Sequence, residues 1–195
     1  MGPVPGASTR PGGKFRLTFF DVLGIEGYEP QWQHSASALA AAHRARFARI
    51  VGHPLAGAWL MWDLDADRWF ADGPVVLGFA DTNVEITHRK FDECAITWNL
   101  VDMAAPLHRS GGGLRLDWVS GGHPALRSAA GRRLREVNVI ERMMAAHWRP
   151  QVLHAIEFLF DGGRLAVYNA LDENGLTDDE EVDLPIGFWR RIRVA

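Results

Sequence analysis

Residues 152–170 read VLHAIEFLFDGGRLAVYNA. Two apolar runs, VLHAIEFLF (152–160) and RLAVYNA (164–170), flank Asp161-Gly162-Gly163. β-Branched and aromatic residues on either side of an Asp-Gly turn mark an antiparallel hairpin. Working outward, the same texture recurs in GAWLMW (57–62), PVVLGF (74–79), NVEITHRKF (83–91), CAITWNLV (94–101), GLRLDWV (113–119) and IGFWRRIRV (186–194). KFRLTFFDV (14–22) reads as a further strand. RLREVNVIERMM (133–144) is ambiguous: Val137, Val139 and Ile140 favour strand, while the flanking Leu, Glu, Arg and Met favour helix.

One segment reads convincingly as helix. Ser35 can cap it, Leu39, His43, Phe47 and Ile50 recur at helical spacing, and Gly52 and Pro54 stop it. Eight or nine strands at short spacing with one N-terminal helix predict a β-rich α+β fold. Its mostly antiparallel sheet would be strongly curved or closed into a barrel. Residues 1–13, rich in Pro and Gly, are expected to be a disordered tail on a single globular domain over 14–195.

Composition narrows the function classes. At 195 residues, 47% apolar and 23% charged, the chain can bury a sizeable core. A net charge of −3 offers no basic face for nucleic acid. Cys94 is the single cysteine, which rules out an internal disulfide and a cysteine-based zinc site. No apolar run reaches the ~20 residues that span a bilayer, and the N-terminus lacks a signal-peptide pattern. A cytoplasmic protein is therefore expected. The strong preference for Arg over Lys, with abundant Ala and Gly, suggests a GC-rich, bacterial coding sequence. Eight tryptophans are many for such a domain, and fit either an aromatic core or a pocket lined with rings.

Strand alternation nominates the chemistry-bearing residues. Val84, Ile86 and His88 share one face of 83–91. A three-residue loop over 91–93 would pair Val84 with Leu100, Ile86 with Trp98 and His88 with Ile96, setting His88 near the Trp98 indole. His154 shares a face with Val152, Ile156, Phe158 and Phe160. Inward histidines are suited to proton transfer, although a lone histidine on an apolar face is commonly a hydrogen-bonded core residue. Asp72, in WFADGP (69–74), is a turn residue or a carboxylate at a strand mouth. His88, His154 and Asp72 are thus the catalytic candidates. Trp98, Asn169, Asp172 and Glu173 are the candidates for ligand binding.

The acidic stretch 170–181 partly matches a helix–loop–helix calcium loop, with Asp172, Asn174, Gly175, Asp178 and Glu181 at the third, fifth, sixth, ninth and twelfth positions. Ala170 at the first position has no side-chain oxygen, and strand-like LAVYN precedes it. A turn with a solvated acidic flank is the better reading. Asp63, Asp65 and Asp67 likewise read as a turn. No phosphate loop, dinucleotide fingerprint or metal triad is present, so no cofactor is expected. The expectation is a small-molecule binder of apolar or aromatic ligands, extending to a cofactor-independent cyclase, isomerase or hydrolase. The alternative is a protein-binding module, an inhibitor or toxin-neutralising partner whose acidic segment 178–183 meets a basic surface.

Overall fold

In the helical segment the Ser35 hydroxyl accepts from the Ala38 N–H, so helix α1 (Ala36–Ile50) starts where the capping residue dictates. Its buried residues, Ala36, Leu39, Ala40, Phe47 and Ile50, form the expected stripe. The computed structural model describes residues 23–107, 113–143, 152–179 and 188–195. The expected tail at 1–13 and strand at 14–22 lie outside these residues, as does most of the acidic segment 178–183.

Eleven strands among the described residues form two antiparallel sheets. The first holds β1 (Leu55–Asp63), β2 (Arg68–Trp69), β3 (Val75–Phe79), β4 (Thr82–Arg89), β5 (Glu93–Trp98) and β6 (Leu116–Ser120). The second runs β10 (Asn174–Thr177), β9 (Gly163–Asn169), β8 (Val152–Phe160), β7 (Leu134–Met143), β11 (Phe188–Arg193). The chain is thus a β-rich α+β fold of two sheets, with more strands than the sequence pattern suggested. The 133–144 ambiguity resolves as strand β7. Non-local pairing with β8 and β11 overrides the helix-forming Leu, Glu and Arg. A second, short helix α2 (Pro124–Ala129) starts with proline in its first turn, His123 accepting from the Ala125 N–H as its cap.

Aromatic rings join the two sheets across the core. Phe79 of the first sheet stacks on Phe158 and Phe160 of the second, at centroid distances of 6.3 and 6.4 Å. Phe47 of α1 packs edge-on against Trp98 and Phe158, at 5.0 and 6.1 Å. Burying one such ring contributes about 1.5–3 kcal/mol, so this cluster is a principal support of the fold. At one end the sheets are tied by backbone bonds: Leu55 N–H to Arg132 O at 3.0 Å and Leu134 N–H to His53 O at 2.9 Å. Trp59 covers the outer face of the first sheet, its ring lying over Gly57 and Gly78 where a Cβ would clash. That close approach accounts for the Gly-Ala-Trp at 57–59.

The observed β4–β5 register corrects the expected one. Val84 faces Trp98, Ile86 faces Ile96 and His88 faces Cys94. The loop is three residues long, but it begins one residue earlier, with Lys90 in the left-handed region (φ 50°). A shift of two leaves the faces unchanged, so His88 still points inward. It does not sit opposite Ile96 or beside Trp98.

The reading of 170–181 as a turn is corrected too. Residues 170–173 turn, and the chain then continues as β10, paired with β9 from Asn174↔Asn169 to Thr177↔Ala166. Gly175 sits directly opposite Tyr168, whose ring lies over it so closely that any Cβ would meet the ring at 2.3 Å.

Candidate functional site

Trp59 pairs with both Val76 and Ser120, and Trp62 with both Trp69 and Asp117. β6 therefore occupies one edge of β1, while β2 and β3 share the other as a single return strand interrupted at 70–74. The interruption is the Phe70-Ala71-Asp72-Gly73-Pro74 segment. Phe70 still donates to Met61 O at 2.9 Å, and Gly73 turns back to Phe70 O at 3.1 Å. Between them the backbone leaves the ladder and carries Asp72 out of the sheet. Excursions of this kind re-aim side chains, and they recur beside functional sites.

Asn174, 1% exposed, pins the excursion. Its backbone N–H donates to Ala71 O at 3.0 Å, and its Nδ2 donates to Gly73 O at 2.8 Å and Ile86 O at 3.5 Å. Its Oδ1 accepts from the His88 backbone N–H at 3.0 Å and lies 2.9 Å from His88 Nδ1. An amide oxygen can only accept, so Nδ1 carries the proton and His88 Nε2 is a bare lone pair. That Nε2 is buried with no hydrogen-bond partner. Burial lowers the His88 pKa to about 4 against the partly compensating bond from Asn174, with nearby His154 lowering it further. His88 is therefore a neutral anchor behind the excursion.

In front of the excursion lies a cleft of about 430 Å³. Trp69, Phe70 and Tyr168 supply rings, and Arg68, Asp72, His123 and Glu173 supply polar groups. Burial raises the Asp72 pKa, and the carboxylates of Glu173 and Asp172 raise it further. His123 uses Nδ1 to accept from Ala125 N–H at 3.2 Å, which leaves its Nε2 as the N–H. Burial lowers its pKa, with Asp178 acting in the opposite direction. The side chains of Arg68, Asp72, Tyr168 and Glu173 make no hydrogen bond or ion pair to another described residue. The cleft thus combines aromatic walls, carboxylates, a cation and an imidazole N–H that the fold itself does not use.

The remaining candidates are placed elsewhere. Asn169 and Asp172 stitch the sheets together: Asn169 Nδ2 donates to Lys90 O at 2.6 Å, its Oδ1 accepts from Asp172 N–H at 3.0 Å, and the Asp172 carboxylate accepts from Lys90 N–H. Leu171 and Asp172 adopt positive φ in this turn (64° and 93°).

His154 is the extra residue of a bulge, since Leu153 pairs with Glu141 and Ala155 with Ile140. The bulge corrects its expected face. Leu153 joins Ile156 and Phe158 in the core instead, and half-buried His154 packs on Trp189 and Tyr168 at 4.7 and 5.9 Å. Burial, then Arg142, lowers the His154 pKa to about 4.

Trp98 lines a second cleft, of about 460 Å³, with His43, Arg46, Gln31 and Gln33. Its indole N–H donates to His43 Nδ1 at 3.0 Å. Burial and the neighbouring Arg46 lower the His43 pKa to about 4. The tryptophans among the described residues do not ring one pocket. Trp59 and Trp118 pack outside the first sheet with Tyr28 and Val76, Trp69 lines the excursion cleft, and Trp189 meets His154.

Of the sequence candidates the structure brings Asp72 and Glu173 into one cleft, together with Arg68, Trp69, His123 and Asn174, which were not among them. His123 was findable, because a His-Pro pair before an Ala-Leu run is a cap signal. Among the described residues no group of three or more histidine, cysteine or acidic side chains is placed to hold a metal ion. No helix among them is long and apolar enough to cross a membrane. Comparison of the chain with known protein families, with curated proteins and with solved structures gives no significant match to any of them.

Proposed function

We propose that the protein binds a small molecule in the excursion cleft, between the rings of Trp69 and Tyr168, and that Asp72 and Glu173 are its principal polar contacts. One observation carries this reading: the side chains of Arg68, Asp72, Tyr168 and Glu173 converge on one cleft and make no hydrogen bond or ion pair with another described residue. Polar groups left unsatisfied beside aromatic walls are the ordinary furniture of a ligand site. A carboxyl group whose pKa is raised by burial and by like charge can hold a proton where an ordinary aspartate has lost it. Asp72 is thereby suited to give a proton to the ligand as a general acid, with Glu173 beside it as the base that takes one from the ligand. A cofactor-independent proton-transfer reaction is the activity this pair supports, and His88 enters only as an anchor behind the cleft.

A thermal-shift screen against small metabolites tests the reading. A ligand of the native state raises the melting temperature by mass action. Hits are expected to lose that shift in Asp72→Asn and Glu173→Gln. Without ligand, Asp72→Asn is expected to melt a few degrees higher than wild type at neutral pH, because it removes a repelled carboxylate. Hits whose stabilisation survives both substitutions would place the ligand elsewhere.

A further inference from the structure

We infer that the ligand of the excursion cleft is a small zwitterion with a planar or apolar body, its anionic group on Arg68 and its cationic group on Asp72 and Glu173. This rests on the cleft being the ligand site, and it adds the chemical class. Arg68 opens β2 and Asp72 lies within the excursion, so the two charges bracket Trp69, Phe70 and Ala71 along the chain. Arg68 lines the same cleft as Asp72 and Glu173 without forming an ion pair with either, while Glu173 and Asp172 both press on Asp72. The cleft is therefore bipolar: one end holds clustered carboxylates and the other a guanidinium with no ion-pair partner among the described residues.

Carboxylates crowded together favour a cation between them, and the planar fork of Arg68 fits a carboxylate or a comparable oxyanion. Between the ends the Trp69 and Tyr168 rings offer flat apolar surface, and a ring face also attracts a cation. A ligand with only one charge would leave one end of the cleft unanswered, and a neutral one would leave both.

The test uses 4-(aminomethyl)benzoate, a ring with an ammonium at one end and a carboxylate at the other, beside its halves benzylamine and benzoate. Binding is read by titration of the indole N–H signals of the full chain. The zwitterion is expected to bind at least about tenfold more tightly than either half. Arg68→Gln should weaken the zwitterion to the level of benzylamine, and Glu173→Gln with Asp72→Asn to the level of benzoate. Added salt should weaken the zwitterion in the wild type, since the charged contacts are partly exposed.

Equal binding of zwitterion and halves at Trp69, or indifference to Arg68→Gln, overturns the zwitterion while leaving the cleft as the ligand site. No response of Trp69 to any of the three at millimolar concentration also overturns it. The cleft itself then stands or falls on whether the metabolite hits lose their thermal shift in Asp72→Asn and Glu173→Gln. Unchanged melting of Arg68→Gln distinguishes lost contact from lost fold.

Discussion

The cleft at the excursion and the cleft beside Trp98 are nearly equal in size, about 430 and 460 Å³. Both carry an aromatic ring, a histidine and an arginine. Glu29, Gln31 and Gln33 also line the Trp98 cleft, so the two differ in what their rings and titratable groups bind. Beside Trp98 the indole N–H is spent on His43 Nδ1, and Thr97 donates to the buried carboxylate of Glu85 at 2.6 Å. Glu85 also accepts from the Leu100 N–H at 3.0 Å, which fixes the chain after β5. At the excursion the supporting bonds run behind the wall, through Asn174 and His88, and the carboxylates in front bond to no other described residue. Volume and ring content do not separate a binding site from a packing defect. The separating features are an indole and an imidazole bound to each other beside Trp98, against crowded carboxylates on a buried support at the excursion.

The largest effect that would break this contrast belongs to the support. Asn174→Ala removes the acceptor for two N–H groups of His88 and the donor to Gly73 O and Ile86 O, all in buried surroundings. Each orphaned buried group costs roughly 1–3 kcal/mol, so a loss of about 4 kcal/mol is expected, read from the denaturant midpoint at constant slope. A loss below about 1 kcal/mol would mean that the excursion is not held by Asn174.

Acid should act next most strongly. The pKa of His88 is lowered to about 4 in the native state, whereas an unfolded histidine titrates near 6.5. Between those values the unfolded chain binds the proton and the native chain does not. The stabilisation is therefore fully present above pH ~6.5 and is lost as pH falls toward ~4. For fully buried His88 alone the loss is about 3 kcal/mol, and half-buried His43 and His154 add to it in the same direction. Denaturation measured from pH 7 to pH 4 should show this slope, and His88→Gln should reduce it. A flat profile would contradict the placement of these rings.

A smaller effect sharpens the comparison from the other side. Trp98→Phe removes the indole N–H from His43 but keeps a ring in the core, and a cost of about 1 kcal/mol is expected. Ligand-induced stabilisation should be unchanged, because that cleft has no uncommitted indole to lose. Weakened ligand binding in Trp98→Phe would assign the site to the wrong cleft.

Most of the scaffold was legible because its signals are local. The Asp161-Gly162-Gly163 hairpin, the Ser35 cap and the Asp63 turn, whose carboxylate accepts from Asp65 and Ala66 N–H at 3.0 and 3.1 Å, each follow from neighbouring residues. The site was only half legible. Asp72 and Glu173 stood out as carboxylates at strand ends, but their meeting depends on β10, which was hidden in a stretch rich in Asp and Glu. Asn174 and His88 are 86 positions apart in sequence. No periodicity links them, and a buried asparagine in an acidic turn gives no sign of its partner. The bulge at His154 and the start of the β4–β5 loop depended on single-residue choices of backbone conformation, which alternation alone does not settle.

The most direct measurement follows the indole N–H signals, assigned by single Trp→Phe substitutions, while a ligand found by thermal shift is added. Trp69 belongs to the cleft with the crowded carboxylates, and Trp98 to the cleft where its indole N–H is bound to His43. The Trp69 signal should move with saturation, and the Trp98 signal, held by His43, should stay in place. A saturating shift of Trp98 with Trp69 unmoved would contradict the assignment of the site.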